Sequence, residues 1–187
     1  MNYLQHMACR TLWVIACLVA GLLGGCSKPA DPDIKEWGNY EGQYPRSGAL
    51  EASAKAQQAW TPLFHTARVQ QELGRLLPPD VLEEFTALSV EAPIEQPEVG
   101  FLYTYVCEAH NCPHGAEMVI DIQNKKFAVI MYRIDESKDR AIATCYSNHI
   151  KSLGEFPARV LASLSLANIA AVTPELSLET FSCIEKN

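Results

Sequence analysis

Positive charge is what this chain has least of: 15 Lys and Arg stand against 22 Asp and Glu, a formal charge of −7. Binding a nucleic-acid backbone means neutralising it with Lys and Arg, so no nucleic-acid partner is expected. The field of such a chain instead attracts a basic protein. Also missing are a Gly-rich phosphate loop and a G-x-S-x-G nucleophile elbow, the local marks of nucleotide binding and of one large hydrolase class. Neither a cofactor nor a catalytic set is expected. Glu108, Glu117, Asp121 and His110 could be assembled into an acid–base group, but so could many other carboxylates. There is no internal repeat, and no apolar run reaches the ~20 residues that cross a bilayer.

The strongest apolar run, Leu12 to Leu23, follows Arg10, the one charged side chain among the first 25 residues. Its length is that of a signal-peptide core. It ends in Leu23-Gly24-Gly25-Cys26, which looks like a bacterial lipobox: small residues let the signal peptidase reach the backbone, and the cysteine thiol takes diacylglycerol. Residues 1–25 are therefore expected to leave as a lipoprotein signal peptide, with Cys26 lipidated. The mature chain would be held on the periplasmic side of the cell envelope by that lipid. Ser27, in place of the Asp that retains enteric-type lipoproteins in the inner membrane, favours the outer membrane. Cleavage removes one Arg and no acid, taking the formal charge from −7 to −8. Residues 26–48, rich in Pro, Gly and polar residues, read as a lipid-anchored flexible tether. Residues 49–187 then form the domain, long enough for one hydrophobic core.

Beyond Cys26 the cysteines are Cys107, Cys112, Cys145 and Cys183. An even number outside the cytoplasm implies two disulfides, and four cysteines allow three pairings. Cys107–Cys112 with Cys145–Cys183 is favoured, because the first pair closes a small loop by itself.

Hydrophobic spacing predicts helices over Ala49–Trp60 and Thr66–Leu77, the second with Val69, Leu73, Leu76 and Leu77 on one face. Pro78-Pro79 stops it, and Asp80 with Glu83 has the pattern of a capping box for a short helix to Phe85. Strands are predicted at Ala87–Val90, Val99–Val106, Glu117–Ile122, Lys126–Ile134 and Arg140–Tyr146. Gln123-Asn124-Lys125 is a hairpin turn, and Asp135 to Arg140 a solvated one. A last helix is predicted from Pro157 to Ala171. The fold class is α+β: an antiparallel meander of about four to five strands with helices before and after it.

One segment carries chemical information: Cys107-Glu108-Ala109-His110-Asn111-Cys112. Two cysteines five positions apart between strands would close a rigid loop with a histidine near its apex, and a rigid protruding loop loses little entropy on entering a cleft. His114 follows, so Cys107, His110, Cys112 and His114 offer four nitrogen and sulfur donors for zinc. That spacing is tighter than in common zinc sites and an oxidising compartment removes the thiolates, so no metal is expected.

C-x-x-H-x-C between two strands of an exported α+β domain resembles the Ivy family, the inhibitors of vertebrate lysozyme. The likeness is sharpest over Cys107–Cys112 and the strands after it. It extends more loosely from Leu76 to Ile169, and excludes the signal and tether. The resemblance implies an inhibitor and not an enzyme, with Cys107 and Cys112 as the staple. His110 would be the group inserted between the target's catalytic carboxyls, flanked by Glu108, Ala109 and Asn111. It also implies a homodimer. Lysozyme-active members carry Lys-Pro after the first cysteine and Asp before the second. Here Glu108-Ala109 and Asn111 stand there, and Glu108 brings a negative charge toward an acidic pair. The target is accordingly a basic glycan-cleaving enzyme, a lysozyme or a lytic transglycosylase. Two other classes fit the same export signal: an immunity lipoprotein against a cell-wall-hydrolase toxin, and a structural envelope lipoprotein that inhibits nothing.

Overall fold

Lys126–Ile130 reads Lys-Phe-Ala-Val-Ile, apolar almost without alternation, and such a strand needs cover on both faces. The computed structural model, which describes residues 31–51, 61–135, 140–165 and 180–186, supplies that cover. Its strands are Val90–Glu91 (β1), Glu95–Glu98 (β2), Phe101–Glu108 (β3), Asn111–Asp121 (β4), Lys126–Asp135 (β5), Arg140–Ser147 (β6) and Cys183–Glu185 (β7). They form one sheet in the order β1-β3-β4-β5-β6-β7, with β2 also on β3. The pairs from β1 to β6 are antiparallel. β7 runs parallel to β6, with Cys183 opposite Cys145.

On one face Leu102, Val106, Met118, Ile120, Val129 and Met131 meet the helical N-terminal layer. That layer contains Ala67–Leu76 (α1) and Pro79–Ala87 (α2). α1 buries Val69, Leu73 and Leu76 at the predicted spacing, and the Thr66 hydroxyl caps it by accepting the Val69 N–H at 3.3 Å. α2 begins directly after Pro78 with no side-chain cap, so Asp80 lies in its first turn and the expected capping box does not form. On the other face Tyr103, Val119, Ala128, Ile130 and Tyr132 pack against Ile150, Leu153, Phe156, Val160 and Leu164. Val160 belongs to Ala158–Ser163 (α3). The α+β reading with helices before and after the sheet is observed; the expected strand Ala87–Val90 is displaced to β1 at Val90–Glu91 because α2 runs on to Ala87, and the short strands β2 and β7 are added to the forecast meander.

The described part of the expected tether, residues 31–48, is not a free linker. Ile34–Tyr40 forms a 3-10 helix whose first N–H groups are served by Asp33, accepting from Lys35 N–H at 3.0 Å. Trp37 and Tyr40 are buried, Trp37 edge-on to Phe127 at 6.0 Å, and the Tyr40 hydroxyl donates to the Thr61 carbonyl at 2.7 Å. Burying two such rings contributes about 3 kcal/mol each and offsets a large part of the cost of ordering this turn. Residues around Trp37 and Tyr40 therefore belong to the packed domain, which is not confined to residues from Ala49 on. Most of the predicted Ala49–Trp60 helix, the second half of the Pro157–Ala171 helix and the turn between β5 and β6 lie outside the described residues. No helix among the described residues is long and apolar enough to cross a membrane.

Candidate functional site: a stapled hairpin tip

β3 and β4 do not end before the Cys-rich segment, as the sequence reading had it; they run into it. Glu108 pairs with Asn111, so the hairpin turns on two residues, Ala109 and His110. The preceding pair is Cys107 with Gly115, which leaves Cys112, Pro113 and His114 as a bulge on β4. Pro113 suits that place, having no N–H to give to a ladder. The Cys107–Cys112 disulfide closes the bulge, joining a buried cysteine to an exposed one with Cα atoms 4.9 Å apart. The second bond, Cys145–Cys183, also forms as favoured. With all four cysteines oxidised no thiolate is available to zinc. Among the described residues no group of three or more His, Cys, Asp or Glu is arranged to hold a metal ion.

Four expected contact residues, Glu108, Ala109, His110 and Asn111, are exposed at the tip. His110 has φ of 64°, a left-handed backbone that glycine adopts freely and other L-residues adopt at a cost of about 1 kcal/mol. A strained residue at an exposed tip is a pointer to function, because the surrounding structure has to over-determine it.

The over-determination comes from both faces. On the α2 side, His114 of the bulge bridges two carboxylates. Its Nε2 lies 2.6 Å from Glu84 Oε1 and its Nδ1 3.1 Å from Glu108 Oε2. Asn111 Nδ2 also donates to Glu108 Oε2, at 2.8 Å. The bond to Glu84 leads in raising the His114 pKa above its ordinary 6.5, with Glu108 adding to it against partial burial. The Glu108 carboxyl is held below its ordinary 4.5, first by the Asn111 bond and then by His114. Glu108, expected to confront a target with a bare negative charge, is thus already engaged twice. On the opposite face the Tyr105 hydroxyl donates to the Cys112 carbonyl at 3.3 Å. The Tyr105 ring lies nearly parallel to Tyr132 at 6.4 Å, and burial pushes the Tyr132 phenol far above its usual range, so it stays neutral. Gly115 makes room for this: a Cβ there would come within 2.8 Å of the Val106 carbonyl and 2.9 Å of the Tyr132 hydroxyl.

Glu84 was not expected at this site, and His114 was weighed only as a zinc donor. Thirty residues separate them, and only the packing of α2 against the bulge brings them together. Gly115 after a cysteine pair and a proline was the available hint of a close approach. Comparison of the chain with protein-family models, with curated proteins and with solved structures found no match.

Proposed function

We propose that the chain is a lipid-anchored protein of the bacterial envelope that inhibits a peptidoglycan-cleaving glycosidase, in the manner of the Ivy family it resembles. The stapled hairpin is the inserted element, and His110 enters between the target's two catalytic carboxyls. The observation that carries this reading is His110 itself: exposed, at positive φ, on a two-residue turn closed by a disulfide and braced from both sides. Retaining glycosidases hold their carboxyls about 5 Å apart. A protonated imidazole has an N–H on either side and can donate to both. Asn111 and Ala109 flank it without charge, and the Glu108 charge is drawn back toward Asn111 and His114.

The target is a basic enzyme, a lysozyme or lytic transglycosylase, attracted by the acidic domain. The lipid on Cys26 would keep the inhibitor beside the peptidoglycan it protects. The test is inhibition of vertebrate lysozyme, a bacterial muramidase and a lytic transglycosylase by residues 27–187, with and without reductant, beside His110→Ala. Inhibition lost on reduction and in the variant supports the reading. Inhibition of any of these enzymes that survives His110→Ala sinks it. Activity against a single toxin hydrolase alone would move the protein to the immunity class.

A further inference from the structure

The bulge histidine has no part in the insertion just described, yet its ring links a carboxylate of the hairpin, Glu108, to a carboxylate of α2, Glu84. We propose that His114 is the positioning residue of the tip: its protonation ties Glu108 at the tip, through the ring, to Glu84 of α2, and its deprotonation releases Glu108 from that link. The proposal deepens the inhibitor reading, since it concerns how firmly His110 is presented, but the clamp itself stands on geometry within this chain.

The argument starts from donor counting. A neutral imidazole has one N–H and one acceptor nitrogen, whereas the imidazolium has two N–H donors. His114 faces a carboxylate oxygen at each nitrogen, Glu84 at 2.6 Å and Glu108 at 3.1 Å. Carboxylates accept and do not donate, so both contacts are hydrogen bonds only when the ring is charged. On losing the proton, one of the two becomes a lone pair against a carboxylate oxygen. Glu108 is the contact nearest the tip, and it also holds the Asn111 amide. Freeing Glu108 from His114 therefore loosens Asn111, and with it the turn that carries His110.

The groups around the ring are few. α2 supplies Glu84, with Asp80 one turn earlier in the same helix. β3 supplies Glu108. From β5, Arg133 follows Tyr132, the register partner of Gly115; it is exposed, so its cation is screened by solvent and does not outweigh two carboxylates in contact. Tyr146 of β6 feels Asp80 and Glu84 and is pushed toward its neutral form, chiefly by burial.

The experiment is hydrogen exchange on the full chain, purified in detergent, at several values from about pH 5 to pH 8. Each rate is divided by the intrinsic rate at that pH. The readout is protection of residues 108–114, with residues 117–130 of the central strands as the fold control. Partly exposed ion pairs are worth little, so tip protection should fall only about two- to fivefold as pH rises through the His114 midpoint, while the central strands stay unchanged. His114→Gln should show the low protection at every pH. His114→Arg, a cation that does not titrate, should restore protection and flatten the profile. Glu84→Gln should move the His114 imidazole midpoint, followed by NMR, to lower pH. A flat profile in the unaltered chain overturns the proposal, as does an unmoved midpoint in Glu84→Gln. No glycosidase enters these measurements, so a failed clamp and a failed inhibitor reading are told apart.

Discussion

The two disulfides of this protein lie in unlike surroundings. Cys107–Cys112 spans five residues at an exposed tip, whereas Cys145–Cys183 spans 38 and ties the last strand to the sheet. Loop-closure entropy gives about 2 kcal/mol for the short ring and about 4 kcal/mol for the long one. The long bond has a buried partner in Cys145, within the second apolar cluster. The short bond ends in an exposed Cys112 beside a strained residue and three hydrogen-bonding side chains. The first difference is one of stability. The second is one of geometry: a bond that contributes less to the fold closes the exposed turn whose His110 backbone is held in the left-handed region.

That contrast can be broken in order of size. Replacing Cys145 and Cys183 together by Ala should cost about 4 kcal/mol in urea unfolding. Inhibition per folded molecule should be retained, which is checked by active-site titration against the target. Replacing Cys107 and Cys112 by Ala should cost about 2 kcal/mol, yet lose inhibition even where the chain is fully folded. His110→Gly relieves the left-handed backbone but adds freedom to the unfolded chain, so stability should change by no more than about 1 kcal/mol. Inhibition should nonetheless disappear, and equal inhibition by this variant would contradict the insertion of His110.

The smallest effect is that of pH, and its sign follows from two shifts in opposite directions. The His114 pKa is raised above 6.5, so its contribution is complete below about 6.5 and is lost as pH rises through the raised value. The Glu108 pKa is lowered below 4.5, so its contribution is complete above about 4.5 and is lost as pH falls through the lowered value. Both hold between those limits. Protection of the tip should therefore peak in mild acid and fall on either side, while the disulfides titrate nowhere in that range.

Much of the fold was readable because its long elements repeat a pattern. The β3–β6 meander shows as apolar runs separated by short polar turns, and α1 shows as Val69, Leu73 and Leu76 at helical spacing. Cys107–Cys112 and Cys145–Cys183 followed from even number and loop size. β2 and β7 are too short to carry any period, and β1, expected at Ala87–Val90, was placed too early because α2 runs on to Ala87. The stretch around Trp37 was misread because its Pro- and Gly-rich composition is that of a linker, and composition gives no weight to two aromatic rings that find a pocket. At the site, the tip residues were legible and their bracing was not. A bulge of three residues and a bond from His114 to Glu84 are products of tertiary packing, with no local signal in either segment.

β7 lies parallel to β6, so the chain must travel the length of the sheet before its last strand can pair. Chains emerge from their N-terminus, and in an exported chain these four cysteines would meet an oxidant in that order. Cys107 and Cys112 appear together with little chain between them, while Cys183 follows Cys145 by 38 positions. Consecutive pairing among these four, Cys107 with Cys112 and Cys145 with Cys183, is what an oxidant acting on each thiol as it appears would produce. The bonds follow that order, so in an exported chain the tip would be sealed by an oxidant before Cys145 and Cys183 had both appeared.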